Sequence, residues 1–340
     1  MKKKILIVAG GCVAVAVILG CIFGIPQAVL NYKYSISYPK KYTVTQEAFD
    51  GANGNNRIHF LNTGGSDAIL IESNGHFALV DCGEDSDNPR GFPDLELQGY
   101  EQEVLKYLKD HAAGDDGKVV LDFVVGTHAH SDHIGGFDTI ISDDDIVVKK
   151  AYLKPYDSSK ISDYEVEEWD NQEVYDQMVK ALNDEGAEII SDIPDDEFTF
   201  GDFTCKFFNG EVYTGDKKRG ENENSLGLLL TCNGSKAFLA GDINNIDGTE
   251  DDIGKKIGKV DLLKFGHHGY DESTSTGFIE ALMPDIGILT NKSIFYSLNS
   301  QSKKDVVNIS KTAVYSTGEN KGIIANFTDK GIVLTNNIME

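Results

Sequence analysis

Three histidines and an aspartate lie within six consecutive residues, and this cluster limits what the chain can be more than any other feature. Residues 128–133 have the sequence His-Ala-His-Ser-Asp-His and follow the apolar run 121–125, which predicts a buried strand. A Gly-Gly pair at 135–136 predicts a turn into the next element. Neutral imidazole and carboxylate groups are the ligands of open catalytic zinc sites. Because the whole chain has only 8 histidines, this concentration indicates a metal-binding loop rather than an ordinary polar loop.

The spacing within the loop suits two ions. His128 and His130 are two residues apart on an extended segment, so both side chains can face the same ion. Asp132 and His133 lie just beyond, where the chain turns, and can reach a second ion. The ions of two-metal hydrolytic sites lie about 3.5–4 Å apart, which is close enough for one short loop to serve both.

The N-terminus has the pattern of a membrane or export segment. Three lysines precede the apolar run 5–24, and about twenty apolar residues are enough to span a bilayer as a helix. The lysines predict a cytoplasmic N-terminus and an external remainder. A cleaved signal peptide is an alternative, and a lipoprotein-type cleavage before Cys21 is another. We interpret residues 1–30 as an anchor or signal segment and residues 31–55 as a stalk.

The charge of the chain disfavours nucleic acid as a partner. The net charge is −24, and removing the three leader lysines leaves −27 on the remainder. Such a field repels phosphate backbones and favours cationic ligands. The short basic patch 217–219 is flanked by Asp216 and Glu221. The three cysteines outside the leader are scattered and predict no disulfide framework.

Alternating apolar patterns predict a layered α/β fold. Asn-Gly pairs at 74–75 and 233–234 separate apolar runs, which is a strong hairpin signal. Helices are predicted at 97–111, 171–185 and 276–282. Strands are predicted at 58–61, 68–71, 77–80, 121–125, 198–208, 226–231, 236–240, 260–264, 286–289, 313–315, 322–327 and 332–334. This alternation predicts a sandwich with helices outside, formed by a single domain over residues 56–338.

Two later segments carry the same kind of side chains at predicted strand ends. Asp242 follows Gly241 after strand 236–240, and a carboxylate in that position can bridge two cations. His267 and His268 follow strand 260–264.

The order of these motifs resembles the metallo-β-lactamase fold superfamily. Asp81, the cluster at 128–133, Asp242 and the His-His-Gly run at 267–269 occur in that family's order. Over about residues 56–300, the chain looks most like the catalytic domains of teichoic-acid phosphorylcholine esterases. The segments that carry this closer resemblance are 66–77, 80–85, 168–171, 224–226 and 258–265. The hydrolase domain of competence DNA uptake is also similar, around 224–226 and 267–269.

The resemblance implies a four-layer αββα sandwich with two Zn²⁺ ions, Mn²⁺ or Fe²⁺ being alternatives. It implies that one ion is held by His128 and His130, the other by Asp132, His133 and His267, with Asp242 bridging them. Catalytic roles would fall to Asp132, His133 and Asp242.

Other residues are expected around these ligands. Asp81 would orient a ligand or the loop through hydrogen bonds. His268 would lie beside the ligands or face the substrate, although an exchange of roles with His267 is also open. Many members of the superfamily have a further histidine before the bridging Asp, but residues 134–241 contain none. Asn224 and Ser225 stand there instead, which implies a more open first metal.

These features favour an extracellular binuclear zinc phosphodiesterase acting on cell-envelope phosphodiesters. Trp169, with Tyr152, Tyr156 and Tyr164 in the same acidic segment, could recognise a phosphorylcholine group. Competence-type extracellular nuclease is one alternative, and a metal-binding envelope protein without catalytic activity is another.

Overall fold

Two β-sheets and the helices on their outer faces form the fold. The computed structural model describes residues 56–86, 98–292 and 298–339. The strands of these residues, in chain order, are β1 (Asn56–Phe60), β2 (Ala68–Ser73), β3 (His76–Cys82), β4 (Val119–Gly126), β5 (Ile146–Val148), β6 (Lys150–Leu153), β7 (Glu188–Ile190), β8 (Phe198–Phe200), β9 (Phe203–Phe208), β10 (Gly227–Cys232), β11 (Ser235–Leu239), β12 (Leu262–Lys264), β13 (Ile286–Leu289), β14 (Ala313–Ser316), β15 (Ile323–Thr328) and β16 (Gly331–Asn336).

Each sheet contains a parallel half. The first sheet has the order β16-β15-β1-β2-β3-β4-β6-β7, with β5 also paired to β4, and it is parallel from β3 to β7. The second has the order β14-β13-β12-β11-β10-β9-β8 and is parallel from β11 to β14. The carboxyl ends of parallel strands lie at one edge of a sheet, so loops after these strands can share a site.

The α-helices of the described residues are α1 (Glu101–Ala112), α2 (Ser131–Ile134), α3 (Phe137–Ile141), α4 (Asp163–Glu168), α5 (Asn171–Asp184), α6 (Thr249–Ile257), α7 (Thr276–Leu282), α8 (Ser300–Asp305) and α9 (Thr317–Asn320). Over the described ranges, no helix has the length and apolar character needed to cross a bilayer. The predicted anchor at 1–30 and stalk at 31–55 lie outside the described residues.

Apolar side chains fill the spaces between the four layers. Side chains of α1, α3 and α5 pack on the outer face of the first sheet, and a second core fills the space between the sheets. Phe123 of β4 belongs to this inner core and contacts Tyr152 edge-to-face at 5.5 Å between ring centroids. On the outer face of the second sheet, Phe278 of α7 contacts Phe238 of β11 at 6.1 Å. The four-layer αββα prediction is therefore confirmed.

Most predicted elements are present, with differences in the middle of the chain. The predicted strand 198–208 is two strands, β8 and β9, because Gly201 adopts a φ of 53° and turns the chain. The predicted helix 97–111 begins at Glu101. The short strands β5, β6 and β7 were not predicted because their three or four residues are too few to show a period.

A buried polar contact fixes α1 on the first sheet. The Tyr107 hydroxyl lies 2.9 Å from Nδ1 of His59, and the Tyr107 ring packs on His111 with centroids 4.2 Å apart. Nε2 of His59 lies 3.3 Å from the Glu72 carboxylate. Burial lowers the pKa of His59 despite Glu72, and it lowers the pKa of His111 to about 4.

These two histidines predict a loss of stability in acid. Both have a lower pKa in the folded chain than in the unfolded chain, which takes up protons below the ordinary pKa of 6.5. The unfolded state therefore binds more protons, and the free energy of unfolding should fall as pH decreases from 6.5 toward about 4. We expect His111→Gln to make this decrease shallower, as measured by urea unfolding at a series of pH values.

The matched control is His76→Gln, which removes an exposed imidazole paired with Asp122. This control should keep the slope of the parent protein. Equal slopes for the parent and for His111→Gln would contradict the prediction.

Candidate metal centre

The predicted ligand residues converge where parallel strands of both sheets end. The loop 127–133 follows β4, and Asp81 lies near the end of β3. In the second sheet, Asp242 follows β11 and the 267–268 pair follows β12. Backbone hydrogen bonds join the edges, since the Leu226 N–H donates to the Thr127 carbonyl at 2.9 Å. The topology thus brings three distant segments into one cluster.

His128 and His130 form one half of the centre. Nε2 of His128 lies 3.0 Å from Nδ1 of His130. Two nitrogens of one tetrahedral zinc ion would lie about 3.3 Å apart, given Zn–N distances of about 2.0–2.1 Å. The other ring nitrogens are held by protein groups, with Ser225 Oγ 3.0 Å from His128 Nδ1 and Glu165 Oε2 3.2 Å from His130 Nε2. The pair can therefore direct two nitrogens at one cation.

Four side chains form the other half. One ligand atom from each of Asp132, His133, Asp242 and His268 lies within 4.8 Å of the others. Nε2 of His133 is 3.1 Å from Asp242 Oδ2 and 3.1 Å from His268 Nε2. Nε2 of His268 is 3.4 Å from Asp132 Oδ2. Two imidazoles and two carboxylates are a donor set that suits zinc, manganese or iron.

Asp81 holds the loop and one histidine from behind. Thr127 donates both its N–H and its hydroxyl to the Asp81 carboxylate at 2.8 Å. Oδ2 of Asp81 also lies 2.7 Å from Nδ1 of His133. This contact leaves Nε2 of His133 facing the centre, as a carboxylate behind a metal-bound histidine does. Asp81 therefore lies behind His133, in contact with both the loop and the imidazole.

The histidine assignment after β12 needs correction. His268 is fully buried within the four-residue cluster. His267, the expected ligand, instead directs Nε2 toward the Asn222 amide at 3.2 Å and packs beside Tyr270. Both residues have positive φ values of 48° and 49°, and this unusual backbone turns the second histidine inward. Strand periodicity cannot reveal such a turn.

Lys264 and Asp67 form a buried ion pair beneath the centre that the sequence did not suggest. The Lys264 ammonium contacts the Asp67 carboxylate, donates to the Gly241 carbonyl at 2.9 Å and lies 3.5 Å from Asp242 Oδ1. Asp67 Oδ1 is 3.4 Å from Nδ1 of His268. The pair therefore supports both Asp242 and His268. Its only sequence signal is a charged residue at the end of an otherwise apolar strand.

The electrostatics of the cluster favour a bound cation. Burial lowers the pKa of His133, but the charges of Asp242 and Asp81 overcome this and raise it to about 10. Burial likewise opposes the charge on His268, while Asp242 and Asp67 hold its pKa well above the ordinary value. The carboxylates thus hold positive charge at the two imidazoles. A divalent cation can replace those protons.

The geometry of Asp242 gives a second test of this fit. Its Oδ2 is buried close to the nitrogens of His133 and His268, yet it accepts no hydrogen bond of acceptable angle. A buried carboxylate oxygen without such a partner is costly. A cation held among these atoms would satisfy it, so the residues present fit a metal ion. Gly241, with φ of 52°, allows this approach because a Cβ there would lie 3.2 Å from the Leu226 carbonyl.

Segment 221–225 stands beside the His128 loop. Ser225 Oγ accepts the Asp242 N–H at 3.0 Å while contacting His128, so it ties the two ligand segments together. Asn224, expected either beside the ligands or facing the substrate, donates its amide to Glu221 at 2.9 Å. Glu221 in turn accepts the Ala129 N–H at 3.1 Å. Asn224 therefore supports the loop through Glu221.

An aromatic side chain lies against the first half of the centre. The half-buried Trp169 packs edge-to-face on His130 with centroids 4.7 Å apart. Tyr164 is 60% exposed and lies 6.4 Å from Trp169. Tyr152, grouped with them from the sequence, is instead in the core between the sheets, and Tyr156 packs on Tyr175.

A small cleft adjoins the same half. His128 and Ala129 form part of its wall, and Lys154 and Lys160 line it as well. The Lys154 ammonium donates to the Asn209 carbonyl at 3.0 Å, and burial lowers its pKa to about 8.

The chain belongs to the β-lactamase superfamily: the model of the beta-lactamase superfamily domain matches residues 77–286. This range includes every residue described above for the centre except Asp67. The structure is also similar to the crystal structure of the metallo-beta-lactamase fold protein YhfI from Bacillus subtilis, with a TM-score of 0.50 at 15% identity, covering 81% of this chain and 100% of that one. This likeness shows the fold.

Two curated proteins are related in sequence. Recombination protein 2 of Haemophilus influenzae is 24% identical over 245 residues, which is 69% of this chain and 24% of that protein. ComE operon protein 3 of Bacillus subtilis is 26% identical over 175 residues, which is 50% of this chain and 20% of that protein. The chain therefore spans a quarter or less of these relatives.

The two candidate histidines can be distinguished by metal content. We expect His268→Ala to lose most bound metal after dialysis, because it removes one of the four clustered ligand atoms. His267→Ala should retain it, because its ring contacts Asn222 instead. Elemental analysis of the purified full chain measures both, with circular dichroism to verify folding. Metal loss in a folded His267→Ala variant, with retention in His268→Ala, would reverse the assignment.

Proposed function

We propose that this protein is a metal-dependent phosphodiesterase that acts on phosphodiesters of the cell envelope. The observation that carries the proposal is the six-residue convergence of His128, His130, Asp132, His133, Asp242 and His268 at the sheet edges. The chain has the fold of its family and a candidate metal site, and both support hydrolysis as the reaction. The choice of a phosphodiester and the extracellular location are proposals.

The residues of the centre have distinct tasks in this proposal. When bound, two metal ions would supply Lewis acidity and a water of lowered pKa. Asp81 keeps Nε2 of His133 directed inward, and Ser225 does the same for His128. Lys264 holds Oδ1 of Asp242 and leaves Oδ2 facing the cluster. These three ligand side chains are therefore fixed before substrate arrives.

The cleft beside His128 supports a phosphorylated substrate. Lys154 and Lys160 bring two ammonium groups to a surface of strongly acidic composition. Lys154 donates to the Asn209 carbonyl and Lys160 to the Gly215 carbonyl, so loop 209–215 fixes both ammonium groups in place. Fixed ammonium groups near the centre can neutralise phosphoryl oxygens.

The aromatic surface beside His130 supports phosphorylcholine as the group recognised. Trp169 presents a half-buried ring, Glu165 lies next to His130, and Tyr164 is exposed nearby. A quaternary ammonium is attracted to an indole face, and neighbouring carboxylates add to that attraction.

A nuclease is the second candidate, and the similarity to Recombination protein 2 and ComE operon protein 3 favours it. The charge opposes it. In the basic patch 217–219, Lys218 pairs with Asp163, and Arg219 lies 3.5 Å from Glu223 while it stacks on Tyr213. Little positive charge is left in this patch for a phosphate backbone.

Activity assays on the full chain test the proposal. We expect hydrolysis of nitrophenyl phosphorylcholine, loss of at least about 100-fold after chelation, and recovery when Zn²⁺ or Mn²⁺ is restored. Single-stranded DNA should be cleaved far more slowly. Turnover that survives complete metal removal would end the proposal, and DNA cleavage that exceeds phosphodiester hydrolysis would favour the nuclease.

Trp169 provides a specificity test. Trp169→Leu should raise the KM for nitrophenyl phosphorylcholine by about tenfold with little change in kcat, because a cation–π contact of about 1 kcal/mol or more is lost. The KM for bis(nitrophenyl) phosphate, which has no ammonium group, should change by less than about twofold. Trp169→Phe should retain most of the affinity, and metal content should be measured in both variants. Equal KM increases for both substrates would show that Trp169 does not recognise the ammonium group.

A further inference from the structure

The two halves of the metal centre are unequal in ligand atoms. Asp132, His133, Asp242 and His268 place four ligand atoms within 4.8 Å of one another. Among the described residues, neither His128 nor His130 belongs to any such group of three His, Cys, Asp or Glu ligand atoms. The first half therefore has two close nitrogens, whereas the second has four atoms.

Segment 221–225, which stands before β10, does not compensate for this difference. The Asn222 amide is directed at His267 Nε2 at 3.2 Å, and the Asn224 amide is directed at Glu221 at 2.9 Å. Ser225 Oγ contacts the rear nitrogen of His128, opposite the nitrogen that faces His130. These contacts of the three side chains thus support the loops and do not reach the two facing nitrogens of His128 and His130.

The carboxylate of Asp242 is also unequally shared between the two halves of the centre. Its Oδ1 lies 3.5 Å from the Lys264 ammonium, and its Oδ2 lies 3.1 Å and 3.3 Å from the nitrogens of His133 and His268. Lys264 is fully buried and contacts Asp67. One oxygen of Asp242 is therefore engaged by a fixed cation, and the other belongs chiefly to the four-residue cluster.

We propose that the two halves load separately. The Asp132–His133–Asp242–His268 set binds one divalent cation by itself, whereas the His128–His130 pair binds a second firmly only when phosphate oxygens complete its ligand set. The identity of that oxygen donor rests on the proposed phosphodiesterase function. The substrate would then assemble the active form of the centre, and the cleft with Lys154 and Lys160 lies on the side of the incomplete half.

The test is calorimetric titration of the metal-free full chain with Zn²⁺, repeated with Co²⁺ so that the visible spectrum reports the coordination of each equivalent. We expect two phases, the second at least about 100-fold weaker than the first. Saturating inorganic phosphate should tighten the second phase by about tenfold or more and change the first by less than about twofold.

Three variants assign the phases. His128→Ala should abolish the weak phase and its phosphate dependence while leaving the tight phase intact. His268→Ala should abolish the tight phase. His76→Ala is the matched control, because it removes an exposed histidine on β3 that pairs with Asp122, and it should change neither phase. Circular dichroism establishes that each variant is folded.

Two phases of equal affinity in the parent protein would overturn the inference. So would a folded His128→Ala variant that lost the tight phase, or a weak phase that phosphate left unchanged. These results are independent of turnover. If the titrations behave as expected but no phosphodiester is hydrolysed, the proposed substrate fails and the separate loading stands.

Discussion

Four carboxylates converge beneath the histidines, and the rest of the centre is arranged around their charge. Asp67, Asp81, Asp132 and Asp242 are all at most 9% exposed, and in the part of the chain that the structure describes, Lys264 is the fixed ammonium among them. Burying an ion costs several kcal/mol unless charge and hydrogen bonds compensate. One lysine cannot balance four carboxylates. The remaining positive charge must come from protons on the imidazoles or from bound cations, so metal binding and the stability of this region are coupled.

The backbone accepts unusual conformations to bring these groups together. Asp81, His267 and His268 all have φ near 50°, and each lies at or just after the end of a strand. Such conformations cost about 1–3 kcal/mol each for residues other than glycine. These conformations persist here because hydrogen bonds stabilise them. Thr127, for example, donates two hydrogen bonds to Asp81. Of these three residues, Asp81 supports the centre and His268 faces it, which connects the local backbone to the chemistry.

The fold and much of the centre could be predicted from the sequence because their signals are local. Runs such as 121–125 and 286–289 show strand character directly. The Asn-Gly turns at 74–75 and 233–234 predict that the strands on either side of each turn pair as a hairpin. The positions of His128, His130, Asp132 and His133 follow from one motif.

What could not be predicted depends on distant contacts or on single dihedral angles. The choice of His268 over His267 is set by two positive φ values. The Asp67–Lys264 pair joins residues almost two hundred positions apart, and no periodic pattern records such a contact. Tyr152 is grouped with Trp169 in the sequence analysis because both lie in an acidic segment, but it belongs to the short core strand β6.

The side chains of both halves are buried, and the two halves differ in what lies beside them. His133 and His268 have no exposed surface, and Asp242 is 1% exposed, whereas Asp132 at 9% is the most open of the four clustered residues. His128 and His130 are each 3% exposed, but they adjoin the cleft and Trp169, respectively. Under the proposed separate loading, a substrate would approach the His128–His130 pair from this side. Turnover requires ligand exchange, whereas folding requires a fixed charge balance. Under the proposed separate loading, the Asp132–His133–Asp242–His268 set would meet the requirement for folding by neutralising the buried carboxylates, and the His128–His130 pair would meet the requirement for turnover by exchanging what it binds.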